Sequence, residues 1–319
     1  MTDPTPIVLD CDPGHDDALA IMLAAANPAV DLLAISTVAG NQTLDKTALN
    51  ARRICDVAGI GGVPIVSGAR GPLRGPAVIA EDVHGQSGLD GPQFGPVRTP
   101  LTSADGVGYV RDLLRGQTRP VTVVATGPLT NIATLLRAAP DVADRIDRIV
   151  FMGGSTERGN STPYAEFNIY ADPEAADIVL HGGVPVTMVG LNVTHQALAD
   201  DTVLSRIGAL GSPLSRICVS LLEFFSETYR ELWGFPAPPL HDPITVALLI
   251  DPDVVTRVHA RVDIELTGTH TRGATVVDLY NRTGRPANAE VAMQLDAKRF
   301  WDLIVDAIAT LSDHSGGTQ

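Results

Sequence analysis

The stretch Ile7-Val-Leu-Asp10-Cys-Asp12-Pro-Gly-His-Asp16-Asp17-Ala18 decides how the rest of the chain is read. A short aliphatic segment passes through Pro-Gly into the apolar run Ala18–Ala26, the pattern of a buried strand, a tight turn and a helix. Asp10 and Asp12 share one strand face by the two-residue period, and Asp16 and Asp17 open the helix. A single carboxylate there needs no ligand, because it caps the helix and interacts favourably with the dipole. Four do not fit that account. Two like charges about 5 Å apart at an effective dielectric near 20 repel by roughly 3 kcal/mol. Several such pairs on one turn raise the carboxyl pKa values or demand a cation. Oxygen ligands suit a hard divalent ion. The spacing is not that of an EF-hand loop, so the remaining ligands must come from distant segments.

Working outward, short aliphatic runs alternate with longer amphipathic ones. Strands are expected at Ile7–Asp10, Leu32–Thr37, Val63–Val66, Val121–Ala125, Ile149–Met152 and Val184–Val189. Helices are expected at Asp16–Ala26, Leu44–Ala58, Gly106–Leu114, Leu129–Ala138 and Pro173–Leu180. This alternation predicts an α/β fold: a single doubly wound, mostly parallel sheet flanked by helices, with a Rossmann-like core. Beyond residue 195 the pattern predicts two long helical segments and a helix from about Asp242. The strands Arg261–Leu266 and Thr275–Asp278 and a closing helix Phe300–Leu311 follow. No repeat or low-complexity linker divides the chain, so residues 1–311 read as one catalytic domain and 312–319 as a flexible tail. The Gly/Pro-rich stretches Ser67–Pro76 and Gly85–Pro96 read as long loops of the kind that carry function. In such a sheet the ligand lies beyond the carboxyl ends of the strands, and the polar clusters mostly follow strand runs.

Composition narrows the class. The 319 residues carry Lys+Arg 23 against Asp+Glu 37, a net charge of −14, which argues against a nucleic-acid partner. Lysine occurs only at positions 46 and 298, so mechanisms built on a catalytic Lys are disfavoured. Cys11, Cys55 and Cys218 are far apart and form neither a disulfide framework nor a zinc motif, as suits a reducing compartment. The N-terminus shows no basic and apolar leader pattern. The longest apolar run is about half of a bilayer span. The expectation is a soluble, cytoplasmic protein without a membrane partner.

Two further strand ends offer oxygen donors. Val121–Ala125 runs into Thr126-Gly127-Pro128, where a turn can aim a carbonyl inward or be an ordinary turn. His241-Asp242-Pro243 opens an apolar helix, where Asp242 is either a ligand or a helix cap. With these in place the chain resembles the inosine–uridine-preferring nucleoside hydrolases. The Asp10–Ala18 string carries the resemblance first, followed by Gly40-Asn41-Gln42-Thr43, Thr126-Gly-Pro-Leu-Thr-Asn131 and Met152-Gly-Gly154. It continues through Asn160, Ala165-Glu166-Phe167-Asn168, Asp172-Pro-Glu-Ala-Ala176, Val193-Thr-His-Gln196 and His241-Asp242-Pro243, nearly the whole chain.

The resemblance implies a bound Ca²⁺ and hydrolysis of purine or pyrimidine ribonucleosides to ribose and free base, in nucleoside salvage or catabolism. It implies Asp12, Asp17, Asp242 and the Thr126 carbonyl as metal ligands, with Asp10 supporting them. Asp16, Asn41, Asn160, Glu166, Asn168 and Asp242 would hold the ribose hydroxyls. His15 stands where some members carry an aliphatic residue and reads as tolerated variation. The family's homodimers and homotetramers imply a homo-oligomer.

The residue types suit that chemistry. N-glycosidic cleavage passes through an oxocarbenium-like cation, which an anionic wall beneath the sugar stabilises. Asp12 is the expected general base and His241 the expected acid for the departing base. His84 is a candidate for contact with the base or for proton shuttling. Tyr229 and Trp233 read either as stacking rings or as core, and His195 as structural. A haloacid dehalogenase-type phosphatase also carries an Asp-x-Asp after a strand, but Gly14 and the scarcity of lysine disfavour it. A non-catalytic Ca²⁺-dependent nucleoside or sugar binder is the other alternative, disfavoured by His241 beside Asp242. No GxGxxG after a strand, P-loop, HExxH or GxSxG motif occurs.

Overall fold

The computed structural model describes residues 3–315. The aliphatic segment before the acidic turn forms β1 (Thr5–Cys11), fully buried from Ile7 onward, as a strand covered on both faces must be. The other strands are β2 (Val30–Thr37), β3 (Ile65–Ser67), β4 (Val121–Ala125), β5 (Ile146–Met152), β6 (Val186–Val189), β7 (Val255–Ile264), β8 (Thr275–Asp278) and β9 (Ala289–Leu295). They form one sheet in the order β3-β2-β1-β4-β5-β6-β9-β7-β8. Pairing is parallel from β3 through β9, and β7 runs antiparallel to both β9 and β8. The predicted α/β architecture is therefore the observed one.

The helices are α1 (His15–Ala26), α2 (Leu44–Ala58), α3 (Glu81–His84), α4 (Gly106–Gly116), α5 (Thr130–Ala138), α6 (Phe167–Ala171) and α7 (Pro173–Leu180). After these come α8 (Leu191–Thr194), α9 (Asp201–Gly208), α10 (Pro213–Trp233), α11 (Pro243–Ile250) and α12 (Ala297–Ser315). Helices α1, α2 and α9–α12 pack on one face of the sheet and α4, α5 and α7 on the other. Helix α1 is buried continuously from His15 to Ala24. A helix apolar all round has no solvent face to offer, so it lies wholly inside the layer, and its two leading aspartates are buried with it.

Strand order reverses at β1, which lies between β2 and β4, and the acidic turn emerges at that switch point. Four differences from the sequence reading have local causes. The strand β9 was not foreseen, although Ala289, Val291, Met293 and Leu295 alternate with Glu290 and Gln294; it is inserted between β6 and β7. Strand β7 starts at Val255, six residues before Arg261, because the exposed Thr256 and His259 mask its alternation. Of the two long helices expected after residue 195, one is the 21-residue α10 and the other is only the 8-residue α9. The closing helix continues through Ser315, past Leu311; the rest of the expected tail, 316–319, lies outside the described residues. Among the described residues no helix is long and apolar enough to cross a membrane.

Candidate active site

The turn after β1 is held from several directions. The Gly14 backbone N–H donates to Asp17 Oδ2 at 2.9 Å, closing the start of α1. The Asn41 backbone N–H donates to Asp12 Oδ2 at 2.7 Å, and its side-chain amide donates to Asp17 Oδ2 at 3.0 Å. From the end of β4, the Thr126 hydroxyl donates to Asp17 Oδ1 at 2.8 Å. The Thr126 carbonyl, an expected metal ligand, accepts from the Asn168 side-chain amide at 2.7 Å. Beneath them, the Asn131 amide donates to Asp10 Oδ1 at 2.8 Å and to the Thr37 carbonyl at 3.1 Å. A Cβ on Gly40 would lie 2.0 Å from Asp12 Oδ2, so only glycine lets this loop approach the carboxylate.

Asp16, Asp17 and Asp242 can each place an oxygen within 4.8 Å of the other two. This trio differs from the expected ligand set in including Asp16, assigned above to ribose, and in leaving Asp12 beside it. Asp10 Oδ2, Asp12 Oδ1 and Asp16 Oδ1 are buried with no hydrogen-bond partner. Burial pushes Asp10 up to about 6 and, together with the Asp17 charge, Asp16 up to about 7. Asp12 and Asp242 are driven well above the ordinary carboxylate range by burial and by their acidic neighbours, and Asp17 is raised by burial. Clustered acids with orphaned oxygens form a donor set that fits a hard cation.

A cavity of ≈ 280 Å³ opens above the cluster, and eleven of the singled-out residues line it: Asp16, Asn41, His84, Thr126, Asn160, Glu166, Asn168, Tyr229, Trp233, His241 and Asp242. Asp10, Asp12 and Asp17 lie beneath rather than on this surface. Glu166 caps α6, accepting backbone N–H bonds from Gly154, Asn168 and Ile169, and burial still lifts it to about 7. The Asn160 side-chain oxygen accepts from the Phe167 N–H at 2.9 Å, which leaves its amide donors available to the cavity.

Across from the acids, His241 Nε2 lies 2.7 Å from the Tyr229 hydroxyl and its Nδ1 lies 2.7 Å from Thr194 Oγ1. Tyr229 is thus a hydrogen-bond partner of His241 besides being a ring in the cavity wall, while Trp233 sits on it at 4.7 Å between centroids, partly exposed. Burial holds His241 well below the ordinary histidine range and raises the Tyr229 phenol. His195 lies outside the cavity, edge-on to Phe235 and His241. Residues that sequence reasoning left without a role are Thr194 and Asn131, both inside motifs quoted above, and His15, which is buried against His84. Burial lowers His15 to about 4, so its ring is neutral near pH 7.

Residues 7–302 match the model of the inosine-uridine preferring nucleoside hydrolases. The chain belongs to that family. This nucleoside hydrolase is 48% identical over 307 residues to the pyrimidine-specific ribonucleoside hydrolase RihA of Citrobacter koseri, covering 95% of the chain and 98% of the relative. Against the protein of the same name from Photobacterium profundum it is 46% identical over 305 residues, with the same coverage of each. Among solved structures, a purine-preferring ribonucleoside hydrolase from Gardnerella vaginalis superposes with a TM-score of 0.90 at 30% identity, covering 97% of this chain and all of that one. The plant nucleoside hydrolase PpNRh1 superposes with a TM-score of 0.87 at 31% identity, covering 96% and 99%. Purine- and pyrimidine-named proteins are thus both among the relatives of this chain.

Proposed function

We propose that this hydrolase cleaves the N-glycosidic bond of pyrimidine ribonucleosides, uridine and cytidine before inosine, releasing ribose and free base. The observation that carries the reading is the two-sided cavity, with carboxylates and amides on one wall and Tyr229–His241 on the other. The pyrimidine preference rests on the relatives at 46–48% identity that are named for it.

The acidic wall stabilises positive charge developing on the ribosyl ring as the bond to the base breaks. Asn160, Asn168, Asp16 and Asp242 offer short donors and acceptors suited to the sugar hydroxyls, and a sugar lacking one leaves a buried group unpaired. Asp12 Oδ1 is the proton acceptor for the attacking water, whose oxygen bonds to C1′ while the base nitrogen keeps the electron pair of the broken bond. The proton that the base needs comes from the Tyr229–His241 pair: the phenol gives its proton to the departing base, His241 Nε2–H holds the phenolate so formed, and the phenol regains a proton from water as the products leave. Burial keeps the phenol protonated at neutral pH.

Asp12, Asp17, Asp242 and the Thr126 carbonyl, with Asp16 beside them, would hold a Ca²⁺, a hard cation suited to an all-oxygen donor set. When bound, the cation supplies positive charge to the cluster and orients the attacking water. Residues 1–311 as one catalytic domain, a homodimer or homotetramer, and a cytoplasmic setting that suits three buried free thiols complete the reading.

The test is release of reducing sugar from uridine, cytidine, inosine and adenosine. The expected result is a kcat/KM for the pyrimidines at least tenfold above that for the purines. The reverse order would replace the pyrimidine assignment, and no release from any of the four would leave a binding protein.

A further inference from the structure

His15 takes no part in the reaction above, yet it lies fully buried in the first turn, stacked on Phe224 at 5.1 Å and Phe225 at 5.3 Å between ring centroids. Its Nε2 is 2.8 Å from the backbone carbonyl of Asp90. A carbonyl oxygen only accepts, so the one ring proton of neutral His15 sits on Nε2 and Nδ1 carries a lone pair. That Nδ1 is 3.1 Å from His84 Nδ1. Two lone pairs do not face one another at such a distance, so the His84 proton is on its Nδ1.

The His15 backbone N–H also points at His84 Nδ1 with hydrogen-bond geometry, at 3.4 Å, a longer contact in which that nitrogen would accept. Exchanging both tautomers would make that long contact a hydrogen bond but would set a His15 lone pair against the Asp90 oxygen at 2.8 Å. The shorter contacts decide. The approach of the rings also needs Gly14, where a Cβ would lie 2.5 Å from His84 Nδ1. What is left over is His84 Nε2, without a partner among the described residues, on a ring that lines the cavity.

We propose that His15 is a positioning residue that locks His84 in the Nδ1–H tautomer, so that Nε2 faces the cavity as a hydrogen-bond acceptor for an N–H group of the nucleobase. The ring N–H of uracil and the amino group of cytosine are matching donors. The nucleobase part rests on the hydrolase reading, whereas the tautomer does not.

The test is ¹⁵N-histidine NMR of the full chain, with the His84 signals assigned by their loss in His84→Gln, alongside kinetics on uridine. The wild type should show a pyrrole-like Nδ1 and a pyridine-like Nε2 at His84. His15→Leu should shift His84 toward the other tautomer and lower kcat/KM about threefold to tenfold, the worth of one neutral hydrogen bond. His15→Asn, whose amide oxygen can take the place of the Nδ1 lone pair, should restore both. A pyridine-like Nδ1 in the wild type, an unchanged His84 in folded His15→Leu, or His15→Asn as impaired as the Leu variant overturns the proposal. If His15→Leu does not fold, the wild-type spectrum and His15→Asn decide. A wild type with the expected tautomers that releases no sugar sinks the nucleobase role through the hydrolase reading and leaves the tautomer lock standing.

Discussion

Removing divalent cations will lower the thermal midpoint of this hydrolase, and more so at pH 8 than at pH 5. The reasoning starts from Asp16, raised from 3.8 to about 7 by burial and by Asp17. A carboxyl whose pKa is higher in the folded chain binds its proton more tightly there than in the unfolded chain. Its contribution to stability is therefore greatest below 3.8, falls as pH rises, and levels off above about 7. At ~1.4 kcal/mol per pH unit, the interval from 3.8 to about 7 amounts to roughly 4 kcal/mol at pH 8, and less than half of that has accrued at pH 5. A cation seated in the cluster supplies the charge that offsets this penalty. Unfolding entropy near 2.1 cal/mol/K per residue gives ~0.7 kcal/mol/K for a chain of this length, so the midpoint should fall by about 6 °C at pH 8 and about 2 °C at pH 5. Scanning calorimetry of chelator-stripped, desalted protein with and without millimolar CaCl₂ measures both. Equal midpoints at both pH values, or a larger fall at pH 5, would refute the claim that these acids share a buried cation.

Two substitutions probe the chemistry. Asp12→Asn keeps the side-chain size and the bond from the Asn41 N–H but removes the carboxylate proposed above as the proton acceptor, so sugar release should become undetectable for every nucleoside while the fold, followed by circular dichroism, is retained. His241→Ala should cost ~10²–10⁴ in kcat/KM on uridine, the usual worth of general acid catalysis. It should spare p-nitrophenyl riboside, whose leaving group needs no proton, and equal losses on the two substrates would take His241 out of the acid role.

Read alone, the sequence determined the layered α/β fold and the acidic turn. Apolar periodicity and four clustered aspartates are local signals that do not depend on what the chain later packs against. The motifs that carry Asp16, Asn41, Thr126, Asn160, Glu166, Asn168, His241 and Asp242 to one cavity were legible as local strings too. What only the tertiary structure decided came from partners distant in the chain. Strand β9 takes its place only through its partners, β6 on one side and β7 on the other. Tyr229 reads as a stacking or core ring at helical spacing and becomes the partner of His241 only when α10 meets the turn before α11. His15, an unremarkable substitution in the turn, acquires a tautomer from the Asp90 carbonyl 75 residues away and passes it to His84. Hydrogen-bond direction is a property of two groups at a distance, and no single segment of sequence carries it.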